Sequence, residues 1–339
     1  MLVFVGWYGR GNSGDEAFKE VHERLFPGIP KIWLCDEEFT PSPDDVYVLG
    51  GGDVFLDYYI CRLPKDAPFF AYGVGLTSPD WQDKVLDYRD RLKGIWLRNR
   101  EDAEYLKARG LNAHFTPDIT FQLKEPIAAE PDPMPDWPPP GEKLLVVMPS
   151  NNAQQDAARN GKFAEYFYQE YMKFKFASEL DELAKYYSIL LLPLSFDSND
   201  MDVLYCHEIA SMMQRRRRVR IAEQSLPPLK TARLVAKADL VLSMKFHGLM
   251  YATMGGVPFV NIGLTRKTEM YCLENGFSEF SLPPYSFSRD PLVERVKRAE
   301  KPETRPYIEA RATALAEEAT RQGAAFVQSV QDFMKKRAS

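Results

Sequence analysis

The segment A-D-L-V-L-S-M-K-F-H-G-L-M-Y-A-T-M-G-G-V-P-F-V-N-I-G, Ala238 to Gly263, reads as strand, turn, small-residue helix and second strand. Leu240 to Ser243 and Phe259 to Ile262 are short apolar runs bounded by turn residues, the pattern of buried strands in a parallel sheet. Lys245 and His247 fall at the turn, on the carboxyl side of the first strand, where open α/β sheets hold their ligands. A cation, an imidazole and the unpaired N–H groups of a helix start on one rim suit a phosphate or a carboxylate. Arg266 and Lys267, just beyond the next strand, are placed to close the same anion pocket.

The same rhythm extends in both directions. Upstream in this half, strands are expected at Leu144–Met148, Ile189–Leu194 and Val219–Ala222, with helices at 163–187 and 200–213. The first half repeats the pattern. Strands are expected at Leu2–Gly6, Lys31–Leu34, Val46–Leu49, Phe69–Tyr72 and Ile95–Leu97, and helices at 14–26, 81–92 and 101–109. Seven prolines between Pro126 and Pro140 interrupt it, and their lost donors and fixed φ forbid continuous helix or central strand. The expected division is a Rossmann-like domain over 1–125, a linker over 126–142, a second Rossmann-like domain over 143–300, and a C-terminal helix over 301–339, continuous or broken near Gly323, that can pack back on the first domain. At 339 residues, two domains of about 150 residues are the natural size.

Composition narrows the function. Apolar residues make up 45% and charged residues 27%, with a net charge of −5, so nothing draws the chain as a whole to nucleic acid or anionic lipid. The run Arg215, Arg216, Arg217, Arg218 is the one basic patch; it reads as a solvated helix end leading into an edge strand, with a nucleic-acid contact as the competing reading. The four cysteines have no C-x-x-C spacing, which points away from zinc and disulfides and toward a reducing, cytoplasmic setting. The N-terminus lacks a signal-peptide pattern and no apolar run reaches membrane-spanning length.

Two further segments can carry chemistry. G-W-Y-G-R-G-N-S-G-D-E, Gly6 to Glu16, joins a strand to a helix, and its glycines allow close approach of a ligand to backbone. Ser13 and Glu16 have the spacing of a capping box, the structural alternative to a catalytic role for Asp15 or Glu16. Gly50-Gly51-Gly52-Asp53 ends another strand, either against a substrate or in a tightly packed crossover. Trp7, Tyr8, Tyr58 and Tyr59 are candidate sugar-stacking rings beside these loops. Asp200 and Asp202 form a D-x-D that reads as a helix start.

In order along residues 1 to 270, G-W-Y-G-R-G-N-S-G-D-E-A, G-G-G-D-V-F-L-D, Y-G-V-G-L, W-L-R-N-R-E-D-A-E-Y-L, P-D-I-T-F and M-K-F-H-G-L-M-Y-A followed by R-K resemble the polysaccharide pyruvyl transferase family. The resemblance implies an α/β chain of GT-B-like fold, two Rossmann-like domains with parallel sheets facing across a cleft. It implies a transferase that moves the enolpyruvyl carbons of phosphoenolpyruvate onto two hydroxyls of a saccharide, forming a pyruvate ketal, with no metal and no cofactor. His247 then matches the motif histidine and serves as general acid, with Asp15 or Glu16 as base. The donor falls to Lys245, Gly248, Arg266, Lys267 and Asn151. The acceptor falls to Gly9, Arg10, Asn12, Gly51, Gly52, Asp53 and Arg98. Two positions depart from the family pattern: Lys245 stands where Arg is usual, and Pro149-Ser150-Asn151-Asn152 follows a strand that commonly leads to Arg. Lysine lacks the planar fork that grips an oxyanion in two places. A GT-B glycosyltransferase using a nucleotide sugar, its diphosphate at the helix after His247, is the alternative.

Overall fold

The computed structural model describes residues 1–35, 40–78, 80–197, 201–263, 265–282 and 289–338. It divides into two compact units, one of Met1–Arg10, Gly14–Lys124 and Ala314–Ser339, the other of Gly11–Ser13 and Glu125–Thr313.

The first unit is built on strands β1 (Leu2–Val5), β2 (Lys31–Leu34), β3 (Val46–Gly52), β4 (Phe69–Val74), β5 (Leu92–Leu97) and β6 (Ala113–Phe115). They form one sheet in the order β2-β1-β3-β4-β5-β6, every pair parallel. β1, β3 and β4 are buried along their whole length, which is why they read as continuous apolar runs instead of alternating ones. The second unit repeats the plan with β7 (Lys143–Met148), β8 (Tyr187–Leu191), β9 (Val219–Ile221), β10 (Leu240–Ser243), β11 (Phe259–Ile262) and β12 (Ser281–Leu282). Their order is β12-β11-β10-β7-β8-β9, again all parallel. The order reverses beside β7 and β10, the switch point at which sheets of this kind leave room for a ligand past their carboxyl ends.

Several expected boundaries move. Residues 126–142, read as a linker from their prolines, belong to the second unit. Pro126 lies in the first turn of a short helix, Lys124–Ala129, where its missing N–H costs nothing. Asp132 is held by Lys237 at 2.7 Å, and Trp137 is buried beneath the Arg220 guanidinium. Leu92, expected to end a helix, opens β5, because the preceding helix stops at Leu86. The tail is one helix, Thr304–Ala338, unbroken at Gly323. A Cβ there would stand 2.6 Å from Gln122 Oε1 and 3.1 Å from the Tyr72 hydroxyl, so the glycine serves close packing. The helix opens in the second unit and from Ala314 onward completes the first. Among the described residues, no helix is long and apolar enough to cross a membrane.

Candidate active site

In the second unit, the carboxyl ends of β7, β10 and β11 each lead into a helix: Asn152–Arg159, Phe246–Met254 and Arg266–Glu274. The residues preceding these helices, Asn151, Lys245 and Thr265, make no side-chain capping bond. All three helix starts meet at one pocket of about 170 Å³, lined by Ser150, Asn152, Lys245, His247, Thr265 and Lys267 among others. Each amino end carries roughly half a positive charge, so the pocket combines three partial charges with two ammonium groups. Such an arrangement favours negative charge, offset in part by the Asp202 carboxylate beside Lys245.

The turn that presents Lys245 is fixed from both sides. Ser243 Oγ donates to the Lys245 carbonyl at 2.8 Å and accepts from the Lys245 N–H at 3.1 Å. Gly248 packs behind it, where a Cβ would fall 2.2 Å from Ser243 Oγ and 2.9 Å from Met148. Gly248, assigned to the donor from its position in the motif, is therefore a packing residue and is absent from the pocket's described lining, as are Arg266 and Asn151. Arg266 is exposed at the start of its helix, and Asn151 precedes the helix that Asn152 opens. Lys267 does line the pocket, its ammonium 6.0 Å from the Phe246 ring centre.

The tip of the glycine-rich loop also belongs here. Ser13 N–H donates to the Leu194 carbonyl at 2.8 Å, Phe196 N–H to that of Gly11 at 3.0 Å, and Asn12 bridges Ser195 in antiparallel fashion. These bonds put Asn12, expected on the acceptor side, in the lining of the second unit's pocket. The Ser13 hydroxyl, expected to cap a helix, instead meets the buried Tyr251 hydroxyl at 3.0 Å, and that hydroxyl also donates to the Ser13 carbonyl. Tyr251 lies one turn beyond His247, their rings 6.4 Å apart.

The remaining acceptor candidates lie in the first unit. Arg98, largely shielded from solvent, lies between Asp53 at 2.6 Å and Asp118 at 2.9 Å. Burial pulls its pKa down, but the two carboxylates outweigh this and leave it raised. Asp118 also accepts from Thr120 N–H and Oγ1 at 3.0 and 2.7 Å, a role that only P-D-I-T-F hinted at. The glycine run is in large part a packing device: a Cβ on Gly51 would stand 2.2 Å from the Phe18 ring, and one on Gly50 2.5 Å from the Tyr8 hydroxyl. Gly52, at φ +83°, faces Asp15, with Oδ1 3.4 Å from the Cβ position. Glu16 accepts from the Gly9 N–H at 2.5 Å, and the Arg10 guanidinium lies 5.2 Å from the Trp7 ring centre.

Asp202 opens the helix Asp202–Met212, as its reading as a helix start implied, but its contact with Lys245 was not legible in the sequence. Its partner in the D-x-D, Asp200, lies outside the described residues. Asp202 itself is fully buried, 3.0 Å from Lys245 Nζ, and accepts from Ser195 N–H at 2.9 Å. Two side chains of the arginine run are engaged locally: Arg216 donates to the Met213 carbonyl at 3.1 Å and Arg218 pairs with Glu142 at 3.3 Å. Burial raises the Cys206 thiol well above its usual value and pushes Cys272 up to about 12, which disfavours the thiolate at both positions.

The sequence pattern of the family described as polysaccharide pyruvyl transferase matches residues 7–266. The chain belongs to this family. No curated protein sequence matches the transferase. Among solved structures it resembles UDP-GlcNAc 2-epimerase from Neisseria meningitidis bound to UDP-GlcNAc, with a TM-score of 0.59 and 11% identity over 96% of this chain and 99% of that one. UDP-N-acetylglucosamine 2-epimerase from Rickettsia bellii gives 0.58 at 12% identity over 99% and 96%. Alpha,alpha-trehalose 6-phosphate synthase from Burkholderia multivorans gives 0.51 at 12% over 88% and 73%. At such identities the likeness concerns the fold, and the transferase has the GT-B fold.

Proposed function

We propose that the transferase carries the enolpyruvyl group of phosphoenolpyruvate to two hydroxyls of a saccharide. The observation that supports this reading is the convergence of three helix amino ends with Lys245, Lys267 and His247 on one small pocket of the second unit. Phosphoenolpyruvate carries a phosphate and a carboxylate, and desolvating both requires several cations or oriented N–H groups. His247 delivers a proton to the methylene carbon, and the adjacent carbon, now electrophilic, takes the first saccharide hydroxyl, whose proton passes to a base. The C–O bond to phosphate then breaks, inorganic phosphate leaves with the electron pair, and a second hydroxyl closes the ketal with loss of its proton. Asp15 or Glu16 is the proposed base.

A nucleotide sugar is the second reading, supported by the fold shared with an enzyme bound to UDP-GlcNAc. Thermal unfolding separates the two, since a ligand of the native state at a hundred times its Kd adds about 2.7 kcal/mol of stability. A rise in Tm with phosphoenolpyruvate supports the first reading; a rise with UDP-GlcNAc alone overturns it. His247→Ala is expected to keep the wild-type Tm and lower turnover by about 10²-fold or more, the usual worth of a general acid. Near-normal turnover in that variant would remove His247 from the reaction.

A further inference from the structure

Behind the pocket's lysine stands a carboxylate that the reaction does not use. Asp202 Oδ2 lies 3.0 Å from Lys245 Nζ and accepts from Ser195 N–H, while the Asp202 N–H donates to the Ser195 carbonyl at 3.1 Å. Ser195 in turn bridges Asn12, and its neighbours Leu194 and Phe196 hold Ser13 and Gly11. One carboxylate is thus tied to Lys245 directly and to Asn12 through a single residue, and both Lys245 and Asn12 line the pocket. A helix dipole is served equally well by an exposed acid, so it does not account for a fully buried one. Nor does stability, because desolvating an ion pair cancels most of its attraction. What a buried pair does provide is one fixed geometry.

We infer that Asp202 is a positioning residue of the donor site, holding the Lys245 ammonium and the Asn12 loop in register. The inference rests on the pocket being the donor site. A lysine paired in this way offers the ligand a directed N–H donor with little added net charge. That differs from the forked guanidinium usual at this position in the family.

Asp202→Asn in the full-length protein is the test, because the amide keeps an oxygen for Ser195 N–H and removes the charge that orients Lys245. The first readout needs no turnover: acylation of Lys245 by an amine-reactive reagent, followed by peptide mass spectrometry against exposed Lys162. Severalfold faster labelling of Lys245 in the variant is expected; an unchanged rate overturns the inference, even if phosphoenolpyruvate proves not to be the donor. The second readout is kinetic. The kcat with phosphoenolpyruvate should fall by about tenfold or more, as a misplaced contact group does, while the Kd for inorganic phosphate stays the same or tightens. Equal kcat overturns the positioning role. Should Asp202→Asn not fold, Asp202→Glu keeps the charge on a longer arm, and unchanged kcat in that variant overturns the inference equally.

Discussion

Protonating His22 would place a cation in the aromatic interior of the first unit, stacked on Phe4 at 4.3 Å and close to Trp33 and Tyr72. Burial, helped by nearby Lys31, lowers its pKa from 6.5 to about 3. The unfolded chain binds this proton more readily than the folded one, so the contribution of neutral His22 is complete above pH 6.5 and is lost as pH falls toward 3. Each pH unit in that window costs about 1.4 kcal/mol. Between pH 7.5 and pH 5 the wild type should therefore lose about 2 kcal/mol more stability than His22→Phe, as read from urea midpoints at each pH. Parallel curves for the two proteins would show that this imidazole is not the source of acid sensitivity. The site residues separate by the same logic of surroundings. Lys245, His247 and Lys267 were legible because they follow strand ends, a local fact. Asp202 was read correctly as a helix start, but its pairing with Lys245 and the bridge from Asn12 to Ser195 were not legible, because those partners lie far along the chain.

At the level of elements, the unit β10–helix–β11 was read correctly because burial on both faces removes alternation and Gly255, Gly256 and Pro258 punctuate it. β6 and β12, of three and two residues, were invisible: each is an edge strand that pairs with a single neighbour and is too short to show a periodicity of its own. Gly248 shows how an element's packing governs chemistry. Alanine at a helix interior is favoured over glycine by about 1 kcal/mol, yet the added methyl would strike Ser243 Oγ, which two bonds to Lys245 hold in place. Overpacking of this kind costs about 1–3 kcal/mol, so the clash wins. Gly248→Ala is expected to lower the Tm and to reduce phosphoenolpyruvate affinity by shifting the turn that carries Lys245. Unaltered Tm and affinity would show that the turn can yield.

For the molecule as a whole, the most consequential element is the helix Thr304–Ala338. Its second part brings Phe326 flat against Tyr72, with centroids 4.1 Å apart, and edge-on to Phe26 and Trp96, while Phe333 meets Phe70. Phe326 and Val330 are fully buried. Burying each such side chain is worth about 1.5–3 kcal/mol, so these contacts supply a large share of the 5–15 kcal/mol typical of a domain. A chain ending at Thr313 should lose the first unit's protection from limited proteolysis while 125–313 keeps its own; equal resistance of both units would refute this.

The same arrangement bears on biogenesis. Residues 2–124 leave the ribosome early with the surface around Tyr72, Phe26 and Trp96 bare, and the residue that covers it is translated about 200 positions later. At 5–20 residues per second this delay is roughly 10–40 s. The first unit is therefore closed only after the second has been made, and in the interval its aromatic face is exposed to solvent.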